Sequence, residues 1–200
     1  MDSKVMFKLS YGLYVLTASE EDRDNGCIIN TALQVTGNPN RISITVNKMN
    51  HTHDMIKRTG CFNVSMLTEQ VSFDVIKNFG FQSGKTVNKF EDYEGYLRAD
   101  NGIIYLTKFC NGFISAKVFK EIDLGTHTMF ISDVTDGKII SDIPSVTYDF
   151  YQKNIKPAPA KTEKKGWICK ICGYVHESEE LPEDFICPIC KHGAADFEKL

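Results

Sequence analysis

The most chemically loaded stretch of this 200-residue chain is its end. Cys169-Lys-Ile-Cys172 and Cys187-Pro-Ile-Cys190 form two Cys-x-x-Cys pairs separated by 14 residues. Two such turns can bring four thiolates onto one tetrahedral ion, with backbone N–H groups directed at the sulfurs. In a reducing compartment this spacing points to metal rather than to disulfides. Sulfur tetrahedra suit iron and zinc alike. The metal also answers a folding problem. About 34 residues cannot build a core large enough to hold themselves, and ligation supplies the missing free energy. The other three cysteines, Cys27, Cys61 and Cys110, are scattered through strand-like runs and read as small apolar core residues.

A second constellation lies earlier. Thr45-Val-Asn47-Lys48-Met-Asn50-His-Thr52-His joins a strand-like run to a helix-like one. It gathers Asn47, Lys48, Asn50 and Thr52 at a helix N-terminus. Free N–H groups, the positive end of the helix dipole, a lysine and a hydroxyl together suit a phosphate. Other motifs are missing or fail. No Gly-x-Gly-x-x-Gly is present, so no dinucleotide fold of that kind is expected. Ser83-Gly-Lys-Thr86 ends like a phosphate-binding loop, but Phe79 stands where its first glycine belongs and a helix precedes it. His51-Thr-His53 lacks a third ligand nearby and reads as the start of a helix. His176 and His192 are surplus beside four thiolates and read as surface residues.

The elements that must position these groups are mostly strands. Gly12–Thr17, Arg41–Val46, Cys61–Met66 and Met129–Val134 are short and rich in β-branched or aromatic residues. Two helices are predicted: 52–58, opened by a Thr cap and stopped by Gly60, and 68–79, stopped by Gly80. Strands with two interposed helices imply a barrel or sandwich, not a parallel βαβ series.

Charge divides the chain. Residues 152–166 carry five Lys against one Glu, two prolines and no aromatic residue. Such a segment cannot bury enough apolar surface to order itself. It separates 1–151, with 15 basic and 18 acidic residues, from 167–200, with three Lys against seven Asp and Glu. The expected division is therefore 1–152, a tether at 153–165, and a small domain at 166–200. The tether would reach about 20 Å as a coil and about 40 Å when extended. The net charge of −3 argues against binding nucleic acid through a basic surface. No apolar run is long enough to cross a bilayer, and 1–10 has no signal-peptide pattern. A cytoplasmic location with no membrane contact is expected.

Trp167-Ile-Cys-Lys-Ile-Cys-Gly-Tyr-Val-His176, with Phe185-Ile-Cys-Pro-Ile-Cys190 and Asp196-Phe197, closely resembles rubredoxin, in the short form that ends rubrerythrins. The resemblance implies one iron on four cysteines and one-electron transfer; a zinc ribbon is the other metal reading. The large domain has a resemblance of its own. Tyr11-Gly-Leu-Tyr-Val, Asn30-Thr-Ala-Leu-Gln-Val, Val46-Asn-Lys-Met-Asn-His-Thr-His, Ser83-Gly-Lys-Thr-Val-Asn-Lys-Phe90 and Gly125-Thr-His-Thr-Met-Phe come in the order of the flavin reductase-like family. That likeness implies a mainly β, FMN-binding split β-barrel with a few helices, forming a homodimer. It places Asn30, Thr31, Ala32, Leu33 and Gln34 along the flavin ring. Asn47, Lys48, Asn50 and Thr52 would hold the phosphate, and Ser83 and Lys85 would close over the flavin. His127 would stand where nicotinamide approaches.

The order of the two parts resembles the high-molecular-weight rubredoxin family. It implies electron flow from NAD(P)H or a reductase, through FMN, to iron, and on to a flavodiiron-type acceptor. The alternative is an NAD(P)H:flavin oxidoreductase that releases reduced flavin and carries a structural zinc module.

Overall fold

The computed structural model describes residues 5, 8–157, 166–171, 174–188 and 192–200. Of the residues singled out above, Cys172, Cys190 and 158–165 of the tether lie outside the described residues. The elements run β1 (Tyr14–Glu20), β2 (Arg23–Ile29), β3 (Ala32–Gly37), β4 (Asn40–Asn47), α1 (His51–Thr59), β5 (Cys61–Leu67) and α2 (Phe73–Gly80). They continue through β6 (Tyr96–Arg98), β7 (Ile104–Leu106), β8 (Cys110–Asp123), β9 (His127–Ile139) and α3 (Tyr148–Phe150), which passes into a π-helical turn, Tyr151–Ile155. The C-terminal part holds β10 (Trp167–Cys169), β11 (Val175–His176) and β12 (Phe197–Lys199).

Seven strands form one antiparallel sheet in the order β2-β1-β5-β8-β9-β4-β3. Its two outermost strands are neighbours in sequence, joined only by Asn30 and Thr31. Three peptide units span at most about 11 Å, so the sheet has to curl until its edges lie side by side. Yet β2 and β3 share no ladder. The result is a barrel with a split, and Asn30 sits at the split. The long β8–β9 hairpin helps to curl the sheet through register shifts at Ser115/Ala116 and Val118/Lys120.

Side-chain alternation assigns the core. Leu13, just before β1, and Val15 join one apolar cluster and Leu16 and Ala18 join another, as the period-2 pleat requires of opposite faces. The Leu16 cluster takes in Ile44, Phe62 and Phe130, with Met55 and Ile56 from α1. The Val15 cluster takes in Leu67 and, from α2, Val75, Ile76 and Phe79. On that same face Thr17, Asn63 and Ser65 are buried but polar, and each has a partner. Thr17 Oγ1 donates to Ile104 O (2.5 Å), Asn63 Nδ2 to Ile103 O (2.9 Å), and Leu106 N to Ser65 Oγ (3.0 Å). These bonds stitch the β6–β7 hairpin onto the barrel. Asn63→Ala removes this bond and the one that Asn63 Oδ1 accepts from Asn101 Nδ2 (2.8 Å), while Ile103 O keeps Ala99 N (3.0 Å). It is expected to lower unfolding free energy by about 1–3 kcal/mol in a urea titration; an unchanged midpoint would mean the hairpin is held by packing alone.

The helices depart from expectation at their starts. The cap of α1 is Asn50, not Thr52; Gly60 does end it, at φ 69°, with its N–H on Ile56 O. Helix α2 begins at Phe73 rather than at 68. Thr68 is held instead by a bridge to Ser145 and by its N–H and hydroxyl on Phe109 O. The C-terminal strands form a separate sheet, β11-β10-β12.

Candidate functional site

The split opens onto a cavity of about 470 Å³, within the range of cofactor sites. Its floor follows β2 from Asn25 to Ile29 and on to Asn30. One end is built by the β4–α1 loop. Asn47 Oδ1 accepts from Met49 N (2.9 Å), and Asn50 N donates to Asn47 O (3.0 Å). This tight turn delivers Asn50, His51 and Thr52 to the cavity wall at the start of α1. Asn50 places no side chain on the helix's first N–H groups, so they remain available to an anion. Behind them, Asn25 Nδ2 donates to Thr52 Oγ1 (2.9 Å).

The loop after α2 forms the facing wall with Phe81, Gln82, Ser83 and Gly84. The Arg23 guanidinium donates to Gly84 O and ties the loop down. The loop comes so close to the Asn25 side chain here that a Cβ on Gly84 would lie 2.1 Å from Asn25 Oδ1.

No Asp or Glu lines the cavity among the described residues, whereas Lys89 does, with His51, His127 and His192. The donor set suits a flavin bearing a phosphate: amides and hydroxyls for the ring and ribityl chain, and a helix N-terminus for the anionic end. His127, half-buried, opens β9 opposite Asn47, with Nδ1 2.9 Å from Thr126 Oγ1. Burial lowers its pKa below the ordinary histidine value, and its neighbours His192 and His53 act in the same direction. His51 is lowered too, by burial and then by Arg23 and Lys85. Both rings are neutral at pH 7.

The structure sorts the residues expected from sequence. Asn30, Asn47, Asn50, Thr52, Ser83 and His127 line the cavity. Thr31 lines a smaller recess shared with Asn30, Thr45, Leu124 and His127. Ala32 packs against the core, Leu33 is 68 % exposed, and Gln34 reaches Asn40 (3.0 Å). They sit on β3, beyond the split. Lys48 turns outward to pair with Asp123 (2.7 Å), and Lys85 stands 3.7 Å from Asp54. Neither lines the cavity, although Lys48 N anchors the loop on Thr126 O (3.0 Å). Sequence reasoning did not find Asn25, Gly84, Lys89, Tyr148 and Tyr151, all of which line it. Cys27 lines it as well, with its thiol pushed up by burial; Cys110 is pushed up to about 12 by burial, so both are inert thiols.

The C-terminal part carries Cys169 (1 % exposed) and Cys187 (0 %) in one cluster with Phe197, packed by Trp167, Ile171, Tyr174, Leu181 and Phe185. Cys169 N donates to Tyr174 O and Cys187 N to His192 O, both at 2.8 Å, which turns each knuckle tightly. Two buried thiols in a dry aromatic shell fit a thiolate-bound ion; the other two cysteines expected as ligands, Cys172 and Cys190, lie outside the described residues. This part closes the cavity. Ile171, Pro188, His192 and Gly193 line the same cavity as Asn30, His127 and Tyr148. Lys156, just after the π-helical turn, donates from Nζ to Lys170 O (2.7 Å). His192, read as a surface residue, is exposed to solvent and also faces this cavity.

Comparison with known proteins agrees with both halves. The flavin reductase like domain model matches residues 6–158, and the rubrerythrin, rubredoxin-like domain model matches 167–198. A high molecular weight rubredoxin of Moorella thermoacetica is 33 % identical, over all of both chains. A ferric-chelate reductase (NAD(P)H) of Archaeoglobus fulgidus is 37 % identical over 76 % of this chain and 89 % of its own. Among solved structures, an NADH:FAD oxidoreductase of Streptomyces globisporus C-1027 superposes with a TM-score of 0.64 at 17 % identity, covering 72 % of this chain and 84 % of that one. No helix among the described residues is long and apolar enough to cross a membrane. The chain belongs to the flavin reductase-like family of oxidoreductases, in the form that ends in a rubredoxin-like domain.

Proposed function

We propose that this chain is an electron-transfer oxidoreductase. It takes reducing equivalents from NAD(P)H, directly or through a reductase, and passes them by way of FMN and a four-cysteine iron to a flavodiiron-type acceptor. The flavin accepts a pair of electrons and returns them singly, while the iron on Cys169, Cys172, Cys187 and Cys190 carries one at a time. The observation that carries this reading is the shared wall. Ile171, Pro188 and His192 of the C-terminal part line one cavity with Asn30 and His127 of the barrel. A module that served only as a structural ornament would have no reason to face the cofactor cavity. The ferric-chelate reductase (NAD(P)H) of Archaeoglobus fulgidus supports a nicotinamide donor.

The residues then divide the work. The α1 N-terminus, with Asn47, Asn50 and Thr52, holds the phosphate. The 81–84 loop excludes water from one side and the Pro188 knuckle from the other. His127, neutral at pH 7, offers a hydrogen-bonding ring rather than a charge to an incoming nicotinamide. We place the tether at 153–165 between domains 1–152 and 166–200; its first residues still belong to the π-helical turn that ends at Ile155. The acidic module suits a basic partner surface. Edge strand β3, with Leu33 and Val35 exposed, suits the homodimer interface.

The test is an anaerobic titration of the purified chain. The oxidised protein is expected to show flavin and ferric-thiolate absorption together, and NADH or a supplied reductase to bleach both. A colourless, zinc-loaded module, or a reduced flavin beside an unchanged iron band, would refute the electron path. Loss of flavin on gel filtration would favour the flavin-releasing alternative.

A further inference from the structure

We propose that Lys156 is the positioning residue that seats the rubredoxin-like module on the barrel for electron transfer; this rests on the reading of a flavin-to-iron path. Its ammonium donates to Lys170 O (2.7 Å), on the residue that follows Cys169 in the first knuckle. Both ends of this bond are firmly based. On the barrel side, Lys156 N donates to Tyr151 O (2.9 Å) and closes the π-helical turn. Lys153 Nζ on Asp149 Oδ2 (2.8 Å) stiffens that turn, and Tyr151 roots it, 4 % exposed, in the apolar cluster of Val15 and Phe79. On the module side, Lys170 N donates to Asp196 O (2.8 Å) and Lys170 Nζ to Ala195 O (3.2 Å), next to Phe197 of the module's core. The bond therefore joins two packed bodies rather than two loose ends. Its place also decides what faces the cavity. Ile171 follows Lys170, and Tyr151 is the residue whose carbonyl holds Lys156; both line the cavity, with the Tyr148 ring 5.8 Å from that of Tyr151. A cationic donor strengthens the bond to a neutral carbonyl, and it suits a module with three Lys against seven Asp and Glu. The electrons balance over two steps. Reduced flavin gives one electron to ferric iron, which becomes ferrous. Once a flavodiiron-type acceptor has taken that electron, the flavin gives its second, and its proton goes to water. Tunnelling weakens steeply with distance, so both steps need the knuckle held at the cavity.

The competing account is that Lys156 only ends the π-helical turn. That role uses its backbone N–H, which every side-chain variant keeps. The two accounts separate on the full chain, loaded with flavin and iron and kept free of oxygen. The flavin is reduced by a light pulse with a sacrificial donor, and the bleaching of the ferric-thiolate band is followed. Losing one hydrogen bond from a charged donor is expected to slow bleaching roughly 10-fold in Lys156→Met, with flavin and iron contents unchanged. Lys156→Gln, a neutral donor, is the second variant and is expected to show part of that loss. The lifetime of flavin emission is the second readout, because a ferric-thiolate chromophore quenches an excited flavin only when near it. The lifetime is expected to lengthen in Lys156→Met, and to be equal in parent and variant when zinc replaces iron. A parent-like bleaching rate in Lys156→Met, slowed bleaching with an unchanged lifetime, or loss of flavin or iron from both variants overturns the proposal. A parent chain whose flavin is reduced while its iron band stays unchanged instead overturns the electron path itself, a result distinct from failure of the lysine's role.

Discussion

Serine in place of Cys187 is expected to empty the C-terminal module of metal and to stop electron delivery, while leaving the flavin half intact. The module has almost nothing else to stand on. Its sheet consists of strands of three, two and three residues, and among the described residues its buried apolar ones beyond Ile168 are Cys169, Cys187 and Phe197. Cys187 is the centre of that core, with no exposed surface. A thiolate-bound ion of this kind contributes folding free energy on the order of 10 kcal/mol, which a three-stranded scrap of sheet cannot replace. A serine alkoxide is not available at neutral pH, so one ligand bond is lost and the remaining three thiolates are left in an apolar shell. Iron content is expected to fall below about a tenth of one per chain, and acceptor reduction by about 100-fold or more. The barrel's two apolar clusters share no residue with the module's, so flavin content and the barrel's melting transition are expected to persist. Undiminished acceptor reduction by metal-free Cys187→Ser would show that electrons leave from the flavin without using the module.

The parts of this molecule that sequence announces are those fixed by short-range chemistry. The paired cysteines declare themselves by spacing, because a knuckle is a local turn. Gly60 predicts the end of α1, because a left-handed residue there has only local requirements. Strand β4 shows its apolar face, Ile42, Ile44 and Val46, in its alternation, but not that the opposite face is covered: Ser43 is buried and Arg41 and Thr45 are half-buried. The misjudged start of α2 has a long-range cause: Thr68 has good capping chemistry, but Phe109 O, about 40 residues away, takes both its N–H and its hydroxyl, and the bridge to Ser145, about 77 residues away, holds its backbone extended. Lys89 is the same lesson in the site. Nothing in Asn88-Lys-Phe90 says that this lysine is buried, since its burial is created by β2 and α2 folding over it. Lys48 is the converse. Its place beside Asn47 and Asn50 made it a natural phosphate ligand, but Asp123, at the far end of β8, draws it outward. The closure of the cavity by Pro188 and His192 was likewise out of reach, because no local pattern encodes which face a tethered module presents.

Gly84→Ala is expected to weaken FMN binding by about 10- to 100-fold, through geometry rather than charge. The added methyl would sit 2.1 Å from Oδ1 and 2.5 Å from Cγ of Asn25, far inside van der Waals contact. Asn25 cannot step aside without cost. It is 2 % exposed and donates to Thr52 Oγ1, so rotating it strands a buried amide and releases the hydroxyl that stands at the first turn of α1. The other relief is for the loop to lift, which breaks the Arg23 contact to Gly84 O and opens the cavity between Ser83 and the helix N-terminus. Either route damages the anionic end of the site. The same substitution at Gly37, where a Cβ meets nothing within 4 Å, is expected to leave binding unchanged and serves as the control. A double-mutant cycle identifies the cause. If the clash with Asn25 is responsible, Gly84→Ala added to Asn25→Ala costs little beyond Asn25→Ala alone, because the atoms in conflict are gone. Additive losses would place the defect in the loop's own backbone instead, and parent-like affinity in Gly84→Ala would remove the close approach of loop and strand as a determinant of the site.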